Sequence, residues 1–556
     1  MGSPLVLGPM LRYVDETSAS IWVETRAQCV VTVRAEGRSW QARSFAVHGH
    51  HYALVEVDRL EPGSVSPYRV EIDGVSVWPE PGSEFPASVI ATRTPGQRPR
   101  IAYGSCRTSV PHDRSGNRTH GVDSLRAFAL AVADGRVDRP DLLLFLGDQV
   151  YADSTTKQMQ AFIRSRRDIH EEPGKELKDF EEYAHLYQLA WSDDANRWLL
   201  SCVPSAMIFD DHDIRDDWNA SLDWKRKMEA TTWWHERIVA GLASYWIYQH
   251  LGNLSPRERA TDEMWQQVTG RHDVAPPDLG GALDAFADRC DKDPNSYRWS
   301  YSRDFDGTRL IVLDSRVARD LTPSARGLLN GEELTWFDRQ MQGGFRHVLI
   351  ATSLPFLLPL GLHHVEAWDE AIAQGAWGRP AAWVGERLRQ AFDLEHWAAF
   401  QNSFQAVAGI ATELADGARG PSPLTVTFLS GDVHFSYLAE VARQNGSRIV
   451  QAVCSPMRNP LPRFLRWFSV VMSYGAATPL GAAAAHSAKV PDPSFRWKTV
   501  KGPWFDNNIA VLQDGPDGFT MTWHTGVVED ADERHPRLEV VASITVPARG
   551  DSKVAS

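Results

Sequence analysis

Leu142–Asp153, which reads LLLFLGDQVYAD, is the stretch that decides the fold. A short apolar run that ends abruptly in Gly147-Asp148 is typical of a buried parallel strand with a carboxylate at its carboxyl end. In open α/β sheets, ligand sites lie in the crevice at that edge. The stretch therefore predicts an α/β sheet with Asp148 in its functional crevice.

Three further apolar runs end in the same way. Residues 101–104 lead to SCR (105–107), residues 206–209 lead to DDHD (210–213), and residues 424–429 lead to SGDVH (430–434). Carboxylate, imidazole and thiol groups together are the mixed hard and borderline ligands of a transition-metal centre. Four strand ends of this composition predict a metal site.

Length and composition bound the class of protein. A chain of 556 residues exceeds what one hydrophobic core usually supports, which predicts at least two domains. Its apolar content of 43% and charged content of 23% are ordinary for a globular protein. The net charge of −13 disfavours binding to a nucleic-acid duplex, because there is no basic excess to release counterions. A small phosphate ester held by metals remains compatible with that charge.

Cysteine usage and the N-terminus bear on the compartment. The five cysteines are scattered and form no C-x-x-C pair, so neither a disulfide framework nor a structural zinc site is expected. Residues 1–7 lack the basic and long apolar regions of an export signal. The sequence as written predicts a cytoplasmic protein, or a secreted or periplasmic one if a leader has been trimmed. It leaves the oligomeric state open.

The chain divides into two parts by its hydrophobic pattern. Residues 1–96 carry short alternating runs separated by turns, which predicts an immunoglobulin- or fibronectin-like β-sandwich. This module is either a stabilising appendage or an element that positions substrate or binds a partner. Residues 100–546 follow an α/β pattern, for which we expect two packed mixed β-sheets flanked by helices. Residues 547–556 are predicted to be a disordered tail.

Tryptophan-rich helical insertions interrupt the α/β pattern after Asn219 and over residues 363–405. Their helical periodicity favours packing over a ligand cage, although they could also wall the substrate site. The final strands, including residues 449–453, are predicted to be antiparallel. Residues 467–485 are uncharged but only moderately apolar, which favours an interfacial lid with peripheral membrane contact over a membrane span.

The four strand ends suggest phosphoryl chemistry. Asp148 can bridge two ions, because a carboxylate has two oxygens with several lone pairs. Two metals about 3.5–4 Å apart are the standard arrangement for phosphoryl hydrolysis, in which they activate a water and neutralise charge.

With Gly104-Ser105-Cys106 upstream, the motifs GDxxYxD (147–153), DDHD (210–213) and GDVH (431–434) resemble those of the PhoD-type alkaline phosphatases. These belong to the calcineurin-like metallophosphoesterase superfamily, and the resemblance covers about residues 100–545. It implies ferric iron and calcium as cofactors, with other divalent metals as alternatives. The metal ligands that it implies are Cys106, Asp148, Tyr151, Asp211, Asp432 and His434. Asp148 would bridge the ions, while Cys106, Tyr151 and His434 would complete the iron site.

The resemblance also implies that His212 is the general acid, and Asp213 stands where many relatives have Glu. From the residues alone, His212 is a proton donor or else a metal-bound or structural histidine. Cys106 is a ligand or a buried apolar filler, and Tyr151 is a ligand or a core tyrosine. Arg107 either grips the phosphate bidentately or forms a structural ion pair.

These observations predict an enzyme that hydrolyses phosphate monoesters through a metal-activated hydroxide, with His212, Asp148 and Arg107 as its catalytic residues. The substrate would be a small phosphate ester. Cleavage of diesters, including phospholipid or nucleotide diesters, is the alternative. A protein that retains its metals without turnover and serves as a binding module is a second alternative, and a hydrolase of non-phosphorus esters is a third.

Overall fold

The computed structural model describes residues 3–270, 278–323, 325–392, 394–461, 466 and 477–548. The N-terminal module consists of nine strands: β1 (Leu5–Val14), β2 (Ala19–Thr25), β3 (Val30–Ala35), β4 (Arg38–Arg43), β5 (Phe45–Val47), β6 (His50–Val57), β7 (Val65–Ile72), β8 (Val75–Trp78) and β9 (Val89–Ala91). They form two sheets, ordered β1-β2-β6-β5 and β4-β3-β7-β8, with β9 on β7. Ile21, Val33 and Val55 lie in the apolar core of this module. The predicted β-sandwich is confirmed.

Thirteen further strands build the α/β part among the described residues: β10 (Arg100–Gly104), β11 (Leu142–Leu146), β12 (Ser205–Ile208), β13 (Tyr301–Phe305), β14 (Thr308–Leu313), β15 (His347–Thr352), β16 (Thr425–Ser430), β17 (Ser436–Val441), β18 (Arg448–Val453), β19 (Trp497–Trp504), β20 (Ile509–Gly515), β21 (Gly518–Val527) and β22 (Arg537–Pro547). One sheet has the order β12-β11-β10-β20-β21-β22, and the other has the order β13-β14-β15-β16-β18-β17-β19. Both sheets are mixed, as predicted.

The helices of the described residues are α1 (Arg114–His120), α2 (Ser124–Ala133), α3 (Lys157–Arg166), α4 (Phe180–Trp191), α5 (Asp194–Cys202), α6 (Leu222–Glu229), α7 (Trp234–Tyr245), α8 (Pro256–Thr261), α9 (Glu263–Thr269), α10 (Gly280–Lys292), α11 (Gly331–Gln340), α12 (Leu360–Ala373), α13 (Arg379–Phe392), α14 (Gln401–Ala415) and α15 (Ala477–Ser487). Short 3₁₀ turns cover Asp211–Asp213 and Trp397–Ala399, and a π-helical segment covers Trp246–His250.

The two sheets pack face to face through an apolar layer. Tyr103 and Leu144 from the first sheet belong to the same buried cluster as Val312, Ala351 and Val450 from the second. Such layers are dry and densely packed, so they fix how the strand ends of the two sheets face each other. This packing is what brings the four motifs together.

The pairing of β18 corrects one expectation. Residues 449–453 were predicted to be antiparallel, yet Ile449 pairs with Val426 of β16 in parallel register, and β18 is antiparallel only to β17. Apart from the partly buried Arg448, the strand is buried along its length. A strand that is buried on both faces reads as a continuous apolar run whichever way its neighbours point, so the pattern did not reveal the direction.

The N-terminal module is docked onto the second part through a fully buried arginine. Arg12 donates hydrogen bonds to the carbonyl oxygens of Tyr248 (2.7 Å) and Gln249 (2.6 Å) in the π-helical segment. Gln249 in turn donates to Asp213 Oδ1 at 3.1 Å. Two successive hydrogen bonds, from Arg12 to Gln249 and from Gln249 to Asp213, therefore link the N-terminal module to the DDHD motif. This link suits a stabilising role for the module.

The first tryptophan-rich insertion packs as predicted, because Trp233, Trp234 and Trp246 are all buried. The second differs, since Trp377 is 50% exposed and Trp383 is 59% exposed. Of the uncharged stretch 467–485, residues 467–476 lie outside the described residues, and the remainder falls in α15. In the described part of the chain, no helix has the length and apolar character needed to cross a membrane.

Candidate metal centre

The predicted ligands meet at the carboxyl edge of both sheets. β10, β11 and β12 run parallel as neighbours, so the loops that follow them emerge together. The backbone N–H groups of Cys106 and Arg107 donate to the carbonyl oxygens of Gly147 (3.3 Å) and Asp148 (3.1 Å), which ties the first two loops to each other. The fourth loop arrives from β16 of the other sheet, where Asp432 N donates to Ser105 Oγ at 3.0 Å.

Side chains at this edge form three overlapping groups whose ligand atoms lie within 4.8 Å of one another. The groups are Cys106–Asp148–His434, Asp148–Asp211–His212 and Asp210–Asp211–Asp432. The first two groups share Asp148, and the last two share Asp211. The structure thus brings together Cys106, Asp148, Asp211, Asp432 and His434, five of the six predicted ligands.

The donor atoms fit metal ions. Asp148 Oδ1 and Asp210 Oδ2 are buried and accept no hydrogen bond from the described residues. A carboxylate oxygen buried without a donor is costly unless a cation lies against it. Thiol and imidazole on one side of Asp148 suit a transition metal, and the all-carboxylate group on the other side suits a hard cation. The arrangement is chemically suited to two different ions.

Four of these candidate ligands have left-handed backbone conformations. The φ angles are +55° at Cys106, +51° at Asp148, +66° at Asp432 and +56° at His434. Each such conformation costs a non-glycine residue roughly 1–3 kcal/mol, and it persists where the surrounding structure holds it in place. Strain concentrated on the predicted ligands is a second, independent sign of a functional site.

Close approach of the backbone explains two motif glycines. A Cβ on Gly147 would lie 2.5 Å from Asp210 Cβ, and a Cβ on Gly431 would lie 2.0 Å from Ser105 Oγ. Gly147 also has a φ of +96°. Glycine at both positions lets the four motif loops touch in two pairs.

Cys106 is fully buried, with Ser105 Oγ at 3.1 Å and Ser455 Oγ at 3.3 Å from its sulfur. Burial, and then the negative charges of Asp148 and Asp432, raise the pKa of this thiol well above its ordinary value. The thiol therefore stays protonated unless a nearby cation favours the thiolate.

Tyr151 Oη lies 3.3 Å from Asp148 Oδ2, to which it donates. Its ring stacks obliquely on His212, with centroids 4.8 Å apart. Burial, followed by the charges at Cys106 and Asp148, raises the pKa of Tyr151 well above its ordinary value. Tyr151 therefore lies at the candidate metal centre. Its phenol there donates a hydrogen bond to the carboxylate of Asp148, the residue that two of the ligand groups share.

His212 is positioned by Asp153, whose carboxylate oxygens lie 3.0 and 2.9 Å from His212 Nδ1. Burial lowers the pKa of His212, but the charges of Asp153 and Asp211 outweigh burial and raise it well above the ordinary value. Its Nε2 faces the mouth of the site, 3.9 Å from Asp216 Oδ1. A cavity of about 390 Å³ opens there, with Lys227, Trp224 and Gln390 in its wall.

Asp213 has a positioning role that the sequence did not assign. Its Oδ2 accepts hydrogen bonds from the backbone N–H groups of Asp148 (3.0 Å) and Asp210 (2.9 Å), and its Oδ1 accepts from Gln249. Burial raises the pKa of Asp213 to about 7. One carboxyl group thus fixes the loops of two motifs.

Arg107 does not point at the group of ligands. Its Nη2 lies 2.7 Å from Asp123 Oδ2, and its Nη1 donates to the carbonyl oxygen of Ala190 at 2.8 Å. Asp123 has a fully buried side chain. Burial raises the pKa of Asp123, but Arg107 and other nearby cations outweigh burial and hold that pKa below its usual range. This geometry favours the structural ion pair over a grip on phosphate.

Two side chains to which the sequence gave no role, Arg316 and His396, contact the predicted ligands, and a third, Glu366, contacts His396. Arg316 pairs with Asp210 at 2.5 Å and with Asp211 at 3.3 Å, and His396 lies 2.8 Å from Asp432 and 2.7 Å from Glu366. Arg316 lies two residues after Asp314, which directly follows β14. This position at a strand end is the sequence signal that could have predicted a role for Arg316 at the site. Glu366 and His396 lie in the second insertion, where no motif marks them.

Comparison with known proteins adds a family to this geometry. Residues 117–272 match the model of the PhoD-like phosphatase family, and residues 2–90 match a domain of unknown function (DUF7800). No curated protein sequence matches the chain.

Among solved structures, the one titled "Structure of PhoD" shares the fold. It has a TM-score of 0.58 and 13% sequence identity, covering 98% of this chain and 91% of that chain. The type III pullulan hydrolase from Thermococcus kodakarensis gives a TM-score of only 0.15 at 10% identity, over 94% of this chain and 92% of that one.

The fold, the family model and the clustered carboxylate, imidazole and thiol groups define a metal-dependent phosphoric ester hydrolase. More narrowly, residues 117–272 match the PhoD-like phosphatase family and the chain shares the fold of the structure titled "Structure of PhoD", which confirms the resemblance predicted from the four motifs. The family match implies phosphate esters as substrates.

Proposed function

We propose that the protein hydrolyses phosphate monoesters at a two-metal site bridged by Asp148. The observation that carries this proposal is that Asp148 belongs to two ligand groups at once, one with Cys106 and His434 and one with Asp211 and His212. A carboxylate that serves two groups can fix the separation of two ions.

Ferric iron would be held by Cys106, Asp148, Tyr151 and His434, whose sulfur, phenol and imidazole donors suit a transition metal. Calcium, or another divalent ion, would be held by Asp148, Asp211 and Asp432, because hard cations prefer carboxylate oxygens. When bound, the two ions would supply a nucleophilic hydroxide and neutralise the developing negative charge on the phosphoryl oxygens.

His212 would deliver the proton that the leaving alkoxide needs. Asp153 holds His212 Nδ1, which fixes the ring and leaves Nε2 facing the cavity of about 390 Å³. A proton donor must lie within hydrogen-bond reach of the leaving oxygen, and the cavity offers room for one polar alcohol beside that nitrogen. Its wall of acidic, basic and amide side chains supports a polar leaving group more than a lipid chain.

The test is hydrolysis of an aryl phosphate monoester and the corresponding diester in parallel, with added iron plus calcium and again after chelation. Asp148→Asn is the test variant, and Asp134→Asn, whose side chain is 59% exposed, is the matched control. We expect metal-dependent turnover of the monoester by wild type and by the control, and loss of that turnover in Asp148→Asn.

Faster turnover of the diester would replace the monoester proposal by the diesterase alternative. Full activity of Asp148→Asn, or activity that chelation leaves unchanged, would contradict the two-metal site.

A further inference from the structure

A dipeptide of the second tryptophan-rich insertion, Glu395-His396, reaches the three-carboxylate group of the metal centre. It precedes the 3₁₀ turn Trp397–Ala399, and both side chains are nearly fully buried. Neither residue belongs to any of the four motifs.

His396 joins two carboxylates. Its Nε2 lies 2.8 Å from Asp432 Oδ2, and its Nδ1 lies 2.7 Å from Oε1 of Glu366 on α12. The Glu366 side chain is 3% exposed and the His396 side chain is 8% exposed. Because both ring nitrogens are engaged, the plane of the imidazole is fixed, and the orientation of the Asp432 carboxylate is fixed with it.

Glu395 reaches the other two carboxylates through Arg316. Glu395 Oε1 accepts from Arg316, and its Oε2 lies 2.8 Å from Nη1 of Arg319. Arg316 in turn contacts both Asp210 and Asp211. One dipeptide therefore acts, directly or through a single arginine, on every member of the Asp210–Asp211–Asp432 group.

Three carboxylates with oxygens within 4.8 Å repel one another, so they stay together only where neighbouring donors and cations hold them. Groups behind the ligands commonly orient metal-binding side chains, and their loss typically costs about 10–100-fold in metal affinity. His396 engages Asp432 Oδ2, which leaves Oδ1 to face an ion.

We propose that His396, backed by Glu366, is a positioning residue that orients Asp432 and sets the affinity of the second metal. The inference rests on the proposed two-metal function. It assigns the second insertion a role in preparing the metal site, in addition to its role in packing.

The experiment is calorimetric titration of Ca²⁺ into the iron-loaded, calcium-stripped protein, with iron content measured by elemental analysis. The variants are His396→Ala, His396→Gln and Glu366→Gln. His364→Ala, on the same helix as Glu366 but with no contact to Asp432, is the control. We expect one calcium site in wild type and in the control, with affinity about 10–100-fold weaker in His396→Ala and unchanged iron content. His396→Gln should recover part of the affinity, because its amide nitrogen can donate to Asp432.

A calcium affinity of His396→Ala within about threefold of wild type would overturn the inference while leaving the proposed function intact. If His396→Ala does not fold, His396→Gln and Glu366→Gln decide the matter, since wild-type affinity in both would contradict a positioning role. A wild-type protein that binds neither Ca²⁺ nor Mn²⁺ beside iron would overturn the two-metal function and this inference together.

Discussion

Replacing Arg107 by methionine distinguishes the two roles that its position beside Cys106 suggests. The guanidinium donates to Asp123 through Nε and Nη2 and to the carbonyl oxygen of Ala190 through Nη1. Its side chain is 3% exposed, and that of Asp123 is fully buried. Methionine keeps most of the apolar length of the side chain but removes the cation that contacts the carboxylate most closely.

Removal of one partner of a buried ion pair costs about 3–5 kcal/mol, because the other charge stays buried and unpaired. Asp123 keeps the backbone N–H groups of Leu125 and Arg126, which its Oδ1 accepts at 3.0 and 3.3 Å. Its Oδ2 keeps a long hydrogen bond from Asn196 Nδ2 at 3.5 Å and has His112 Nε2 at 3.9 Å, neither of which replaces the bidentate guanidinium. We therefore expect Arg107→Met to lower the free energy of unfolding by about 3–5 kcal/mol. The KM for an aryl phosphate should change little, since the guanidinium faces Asp123.

The assay is urea unfolding together with steady-state kinetics. Arg136→Met is the control, because Arg136 pairs with Asp134 at 2.6 Å with both side chains about half exposed. Such a surface pair contributes only about 0–1 kcal/mol. If Arg107→Met leaves the stability near that of the control and raises KM by about tenfold, the guanidinium grips phosphate and the structural reasoning is refuted.

Three further predictions concern the metal centre and the core. In the iron-loaded protein, Tyr151→Phe should shift or bleach the visible absorption band of the ferric site, whereas an unchanged spectrum would remove Tyr151 from the ligands. His212→Asn should lower kcat by about 10²–10⁴-fold for an alkyl phosphate and much less for an aryl phosphate, because an aryloxide is a weaker base and leaves more readily without protonation. Equal losses of kcat for both esters would argue against His212 as the proton donor. His250 is fully buried, and burial, followed by the charge of Arg12, lowers its pKa to about 3. Because only the unfolded chain takes up this proton between about pH 6.5 and pH 3, His250 should make the protein lose about 1.4 kcal/mol of stability per unit fall in pH over that range. Urea unfolding at several pH values should show a shallower acid dependence in His250→Gln, and an unchanged slope would contradict the buried neutral imidazole.

The sequence was sufficient to predict the fold class and the sheet edge at which the candidate metal ligands cluster. Asp148, Asp211 and Asp432 each follow a buried strand, and the carboxyl edge of a sheet is where such loops converge. Even so, β12 and β16 lie in different sheets, and only the packing of the two sheets shows how their loops meet.

The residues around the ligands could not be predicted in the same way. His396 reaches Asp432 from an insertion whose helical pattern indicates only packing, because periodicity records burial and not what a polar side chain contacts. For Arg107 the sequence showed that the residue lies beside the predicted ligand Cys106. It could not show which way the side chain points, and that direction decides between a phosphate contact and an ion pair with Asp123. Asp213 looked like a small departure from Glu, yet its short side chain accepts two backbone N–H groups of the motif loops.

Anomalous scattering from crystals of the protein loaded with iron and manganese would test the central claim most directly. The two-metal account predicts two peaks about 3.5–4 Å apart, with Asp148 between them, one beside Cys106 and His434 and the other beside Asp211 and Asp432. A single peak, or two peaks of which neither contacts Asp148, would contradict it.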